Sequence, residues 1–207
     1  MTKGSAKGSS FERHICKLLS LWWTENERDD VFWRTSGSGA RAKTRSKKNQ
    51  TTFGQYGDVQ AIDPIGQPLI DLCTIEIKTG YSKYSYADLL DRTPNHKIQM
   101  YEKFIEQAQT DCHNAEAFSW LLITKRNRRE TLICFPVQIH KILYNMKCAL
   151  LVSSTIVNSI NKHTFVVTTL RNFLTKVHPK YIKSMDKRWV KIYKNGPFLP
   201  KREMRRG

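Results

Sequence analysis

The chain has 207 residues, enough for one domain with a buried core or for a domain and an appendage, and its 40% hydrophobic and 11% aromatic content argues against disorder. No apolar run approaches the roughly 18 residues of a membrane span, and the first ten residues, "MTKGSAKGSS", hold no apolar stretch that could act as a secretory signal. The formal net charge is +17 and sits in the flanks: residues 1–57 carry 11 basic and 5 acidic side chains, residues 58–140 carry 9 and 11, and residues 141–207 carry 15 and 2.

Residues 1–8 are expected to form a flexible tail. "SSFERHICKLLSLWW" then predicts an amphipathic helix with Phe11, Ile15, Leu18, Leu19 and Trp22 on one stripe. Ser9 and Glu12 have the S-x-x-E spacing of a capping box. Residues 31–34 predict a short strand that runs into a loop rich in glycine and serine. Arg41, Lys43, Arg45, Lys47 and Lys48 follow without apolar periodicity, the pattern of a mobile loop over 40–56 that orders on a polyanion. Two strands, 59–62 and 69–78, are expected next, joined by "DPIGQP", a turn punctuated by Pro64, Gly66 and Pro68. "NHKIQMYEKFIEQAQ" sets Ile98, Tyr101, Ile105 and Ala108 at helical spacing, and "FSWLLITKRNRRETLICFP" predicts a β-hairpin around a charged turn. Beyond residue 140, "ALLVSSTIV" and "TFVVTTL" read as strands, "LRNFLTKV" as a short helix and the last twenty residues as a basic extension.

This order predicts an α/β domain over residues 9–140, a central mixed β-sheet flanked by helices. Residues 141–207 form a basic C-terminal region, part of that domain or appended to it. Cys16, Cys73, Cys112, Cys134 and Cys148 are odd in number and contain no CxxC pair, so reduced thiols are expected rather than a disulfide framework.

The chemistry concentrates in "GDVQAIDPIGQPLIDLCTIEIKTG", residues 57–80. On a strand, Cys73, Ile75 and Ile77 face one side, and Thr74, Glu76 and Lys78 face the other. Asp58 opens the preceding strand, and Gly57 permits a tight entry. A hairpin between the two strands would bring Asp58 to Glu76. Two carboxylates and a lysine in that arrangement suit phosphodiester cleavage. Asp58 and Glu76 can hold one or two Mg²⁺ ions with the carbonyl of Ile77 as an extra ligand, and Lys78 can orient the attacking water or stabilise developing charge. Basic flanks around an acidic centre fit a polyanion outside and cations inside.

Gly57-Asp58 followed by Glu76-x-Lys78 resembles the signature of the PD-(D/E)xK nucleases. Glu12 in an N-terminal helix, "RTSGSG" before the aspartate, "EIK" on a strand and "IQMYEKF" on the next helix extend the likeness, over residues 9–136, to the archaeal-type Holliday-junction resolvases and their phage relatives. The resemblance implies a restriction-endonuclease-like fold and Mg²⁺-dependent cutting of DNA, with Mn²⁺ able to substitute. It further implies four-way junctions as substrate, a homodimer, and a cytoplasmic or nucleoid-associated site of action, as for a phage protein in its host. It assigns Glu12 to the metal site, Arg34 with Ser36 or Ser38 to the scissile backbone, and Gln99 to the lining of the site. Gly57 departs from the pattern, which has proline there.

Plainer uses compete with these roles. Glu12 is explained equally by the capping box, and Asp58, Glu76 and Lys78 could be solvated surface charges. His96, Cys112 and His113 have no common zinc spacing. Trp189, among basic residues, suits packing or stacking on a base. A restriction-type enzyme or recombination exonuclease would share the site, and a non-catalytic basic nucleic-acid-binding protein would share the charge.

Overall fold

The computed structural model of the chain describes residues 3–35, 56–91, 98–148, 155–158 and 164–185. Helix α1 (Lys3–Trp23) buries Ile15, Cys16, Leu19 and Trp23, with Phe11, Leu18 and Trp22 half-buried beside them. It begins six residues before Ser9, so the segment expected as a tail is helical from Lys3, and Ser9 is not a cap. The Ser9 hydroxyl instead accepts from Arg13, one turn on, at 2.8 Å. Gly4 and Gly8 read as punctuation in the sequence, but each costs a helix only about 1 kcal/mol relative to alanine. A helix anchored by its buried face absorbs that.

Strands β1 (Phe32–Arg34) and β2 (Val59–Ala61) form an antiparallel ribbon in which Arg34 lies opposite Val59. A 3₁₀ turn over Pro64–Gly66 leads into α2 (Gln67–Leu72), which has Pro68 in its first turn and buries Leu69 and Leu72. Residues 69–72, expected to be strand, are therefore helical, and only Cys73–Thr79 forms β3. The expected hairpin between 59–62 and 69–78 does not form, because α2 carries the chain away from β2. Helix α3 (Met100–Asn114) connects β3 to its parallel neighbour β4 (Ser119–Lys125). The predicted hairpin pairs β4 with β5 (Thr131–Pro136).

After α4 (Val137–Asn145) come β6 (Thr155–Asn158), β7 (Thr164–Thr169), α5 (Leu170–Lys176) and α6 (Pro179–Lys183). The main sheet is mixed and runs β3-β4-β5-β7-β6. The chain beyond residue 140 thus gives two strands to the same sheet as β3. Cores form on both of its faces. One packs Ile75, Ile77, Leu121, Ile123, Ile133 and Phe135 under α1, α4 and α5. The other packs Trp120, Leu122, Cys134 and Phe165 against Tyr101, Phe104 and Ala108 of α3. This double burial explains the unbroken apolar run of β4. All five cysteines are free and buried. Among the described residues no helix is long and apolar enough to cross a membrane. The basic loop over 40–55, His96 and the terminal extension with Trp189 lie outside the described residues.

Candidate active site

Strand β3 is an edge strand with an apolar and a polar face. Cys73, Ile75 and Ile77 enter the core beneath α1, while Glu76 and Lys78 turn toward α3, where Glu76 meets Gln107 and Lys78 lies over the Phe104 ring. Asp58 reaches the open edge of β3 through Gly57. That glycine has φ +75°, and a Cβ on it would stand 2.7 Å from the Ile75 carbonyl oxygen. Only glycine satisfies both the left-handed backbone and the close approach. Proline, with φ fixed near −65°, could not take this conformation, which accounts for the departure at residue 57.

Three hydrogen bonds then fix Asp58. Its N–H donates to the Ile75 carbonyl at 2.7 Å, its carbonyl accepts from the Thr35 N–H at 3.0 Å, and its Oδ2 accepts from the Ile77 N–H at 2.8 Å. Asp58 and Glu76 are only 5% and 3% exposed, so both carboxylates sit inside the protein rather than on a solvated hairpin.

Glu76 Oε1 accepts from Lys78 Nζ and from Gln107 Nε2 of α3. Burial, and then the charge of Asp58, push the Glu76 carboxyl up to about 7 despite the neighbouring ammonium. Burial opposes the charge on Lys78, but the Glu76 carboxylate, with Asp58 and Tyr81 behind it, raises the ammonium above the usual lysine range. Asp111, one turn beyond Gln107 on α3, is also buried and adds negative potential at Glu76.

Glu12 stands on α1 with its Oε2 2.9 Å from Arg34 Nε, and the same guanidinium donates to Ser9 Oγ at 3.0 Å. In place of a capping box there is an ion pair joining α1 to β1. Burial, followed by the charges of Glu12 and Asp58, pushes the Cys16 thiol up to about 12. Gln99 is the N-cap of α3, and its N–H donates to Glu102 at 3.3 Å. Gln107, two turns further along, is the glutamine that reaches Glu76. The sequence held a signal for it: Gln107 and Asp111 are polar at i, i+4 beside the apolar stripe of Phe104, Ile105, Ala108 and Cys112. Ser36, Ser38, Arg41, Lys43, Arg45, Lys47 and Lys48 lie outside the described residues.

Among the described residues no group of three or more His, Cys, Asp and Glu side chains stands ready to hold a metal. The donor set at β3 is smaller, two buried carboxylates whose mutual repulsion a cation would relieve. Such a set fits a hard divalent ion that keeps several of its waters.

A mixed sheet covered by helices, with an aspartate delivered to an edge strand that carries E-x-K, defines a nuclease core of the restriction-endonuclease-like type. The family model described as "Phage putative PDDEXK endonuclease" matches residues 3–184, and the chain belongs to that family of PD-(D/E)xK nucleases. The match runs past residue 136, where the likeness seen in the sequence ends, and takes in β6, β7 and the closing helices. No curated protein matches the chain, and no solved structure does.

Proposed function

We propose that the protein is a Mg²⁺-dependent endonuclease that resolves four-way DNA junctions as a homodimer, acting in the cytoplasm of a phage-infected host. The observation that carries the reading is the pair of buried carboxylates, Asp58 and Glu76, beside Lys78 on one edge strand. Asp58, Glu76 and the Ile77 carbonyl are the groups that would hold the ion. In a strand the amide and carbonyl of one residue point to the same edge, and the Ile77 amide already points to Asp58. A bound Mg²⁺ supplies a Lewis acid for the phosphodiester and lowers the pKa of its attacking water. Lys78 orients that water and stabilises charge that develops on the phosphate oxygens. Gln107 fixes the rotamer of Glu76. Arg34 reaches for the scissile backbone, and Glu12, its present partner, adds an acidic group at the rim.

Junction selectivity is supported by the ordered likeness over residues 9–136, and DNA binding by the strongly basic flanks. Two symmetric nicks need two equal sites, which a two-fold dimer provides. The test incubates purified protein with a synthetic four-way junction and with linear duplex, with and without Mg²⁺ or Mn²⁺. Paired nicks in the junction alone, only with metal, are the expected result. Cutting of linear duplex would move the assignment to a restriction-type enzyme or exonuclease, and no metal-dependent product would leave a binding protein without catalysis.

A further inference from the structure

The middle of the chain is the part with no excess of basic residues, yet four of its nine fall within five positions, Lys125, Arg126, Arg128 and Arg129. Lys125 ends β4, and the three arginines lie in the turn between β4 and β5. We infer that this turn is a second DNA-backbone clamp, gripping duplex phosphates beside the cut. The inference rests on the nuclease reading above for its substrate.

The register fixes where the turn lies. Lys78 pairs with Thr124 across the parallel β3–β4 ladder, and Thr79 pairs with Lys125. Arg126 is thus two residues beyond the position opposite Lys78, roughly 8 Å from it by strand geometry. Partners in a parallel ladder share a face, so Thr124 lies on the face of Glu76 and Lys78, and Arg126 follows it. There the turn and α3 enclose a cleft of about 640 Å³, walled by Arg126, Arg128 and Arg129 and floored by Tyr101, Thr124 and Leu132. Among the described residues no carboxylate pairs with those three arginines. Glu130, the one acidic group in the wall, faces Arg171 at 3.6 Å.

The turn is also braced as a fixed anion site needs to be. Gly80 N–H donates to the Lys125 carbonyl at 3.1 Å, Asn127 N–H to Ser82 Oγ at 3.2 Å, and Arg129 N–H to the Arg126 carbonyl at 3.3 Å. The first two tie the turn to the loop that leaves β3, so it moves with the site. Arg128 has φ +56°, a left-handed conformation that glycine or asparagine would take with less strain. Glycine would meet the same backbone requirement without carrying a charge. Arginine at that position keeps an exposed guanidinium at the mouth of the cleft.

Arg128→Gly separates the two roles, since it relieves the backbone and removes the charge. Binding of labelled duplex and junction is measured by anisotropy in EDTA across a salt series, for wild type, Arg128→Gly and Arg126→Ala/Arg129→Ala. Thermal melting is measured in parallel. Each phosphate contact contributes about 0.9 to the slope of log affinity against log salt. The expected loss is about 0.9 for Arg128→Gly and about 1.8 for the double variant, with unchanged or higher melting temperature for Arg128→Gly. Slopes equal to wild type in variants that melt normally would overturn the clamp while leaving the metal site intact, because Asp58→Asn tests that site by cleavage alone. Wild-type protein that binds no DNA would overturn both readings together.

Discussion

Strands β3 and β4 lie side by side, parallel and in register, and both are covered on two faces. On the face toward α3, β4 presents Trp120, Leu122 and Thr124, and β3 presents Thr74, Glu76 and Lys78 at the paired positions. The neighbour shows what packing alone asks of such a strand. Where β4 has leucine, β3 buries a carboxylate at 3% exposure and keeps it there with Lys78 and Gln107. Burying charge costs several kcal/mol per ion unless partners offset it. A polar triplet in a place shaped for an apolar one is thus a signature of chemistry, and the contrast can be broken or sharpened by substitution.

The largest effect is expected when a carboxylate is neutralised. Asp58→Asn and Glu76→Gln should each lower single-turnover cleavage by roughly three orders of magnitude or more, since the metal is forfeited and with it several kcal/mol of charge stabilisation. DNA binding in EDTA should be unchanged or tighter, because repulsion of phosphate falls. Full activity in either purified variant refutes the assignment of the metal site. Lys78→Ala comes next, with a loss on the order of 10²–10³ in rate at saturating metal. A rate within about threefold of wild type would make Lys78 a bystander.

Replacing the ion pair on β3 by apolar side chains gives a third, opposite effect. Glu76→Leu with Lys78→Met removes both members of a buried ion pair and should stabilise the fold by about 1–4 kcal/mol while abolishing cleavage. Chemical denaturation measures this directly, and a double variant less stable than wild type would mean that the pair supports the fold.

The smallest effect is the pH dependence of the metal-free protein. The Glu76 carboxyl is pushed up to about 7 from its ordinary 4.5. Between those values the folded chain holds a proton that the unfolded chain has shed, so the contribution of Glu76 to stability is full below 4.5 and is lost as pH rises through 7. In EDTA, Glu76→Gln should therefore show a shallower fall in melting temperature from pH 5 to pH 8 than wild type does. Parallel slopes would show that Glu76 does not titrate in this window.

Much of the site was legible because it is local. "EIK" alternates faces on any strand, and Gly57 announced a tight approach whose geometry the structure supplies. The β4–β5 hairpin was legible for the same reason, two apolar runs around a charged turn. What failed was non-local or ambiguous. "PLIDL" is as good a strand as a helix by periodicity, and Pro68 at a helix start decides it. The parallel pairing of β3 with a strand some forty residues away leaves no mark on either segment alone. The polar i, i+4 pair of Gln107 and Asp111 marks one face of the helix, but what that face serves is set by the strand beneath it, which the helix sequence does not contain. Ser9 and Glu12 matched a capping box, but Arg34, brought in by the β1–β2 ribbon, claims both.

The way Asp58 is held has a further consequence, for solubility. An edge strand offers its unpaired backbone groups as a template on which a foreign strand can grow. On β3 the Ile75 carbonyl and the Ile77 amide, two of the groups such a strand would need, are both occupied by Asp58. The residue proposed to hold the metal is therefore also the stopper of the sheet, and the protein guards its open flank with its own chemistry.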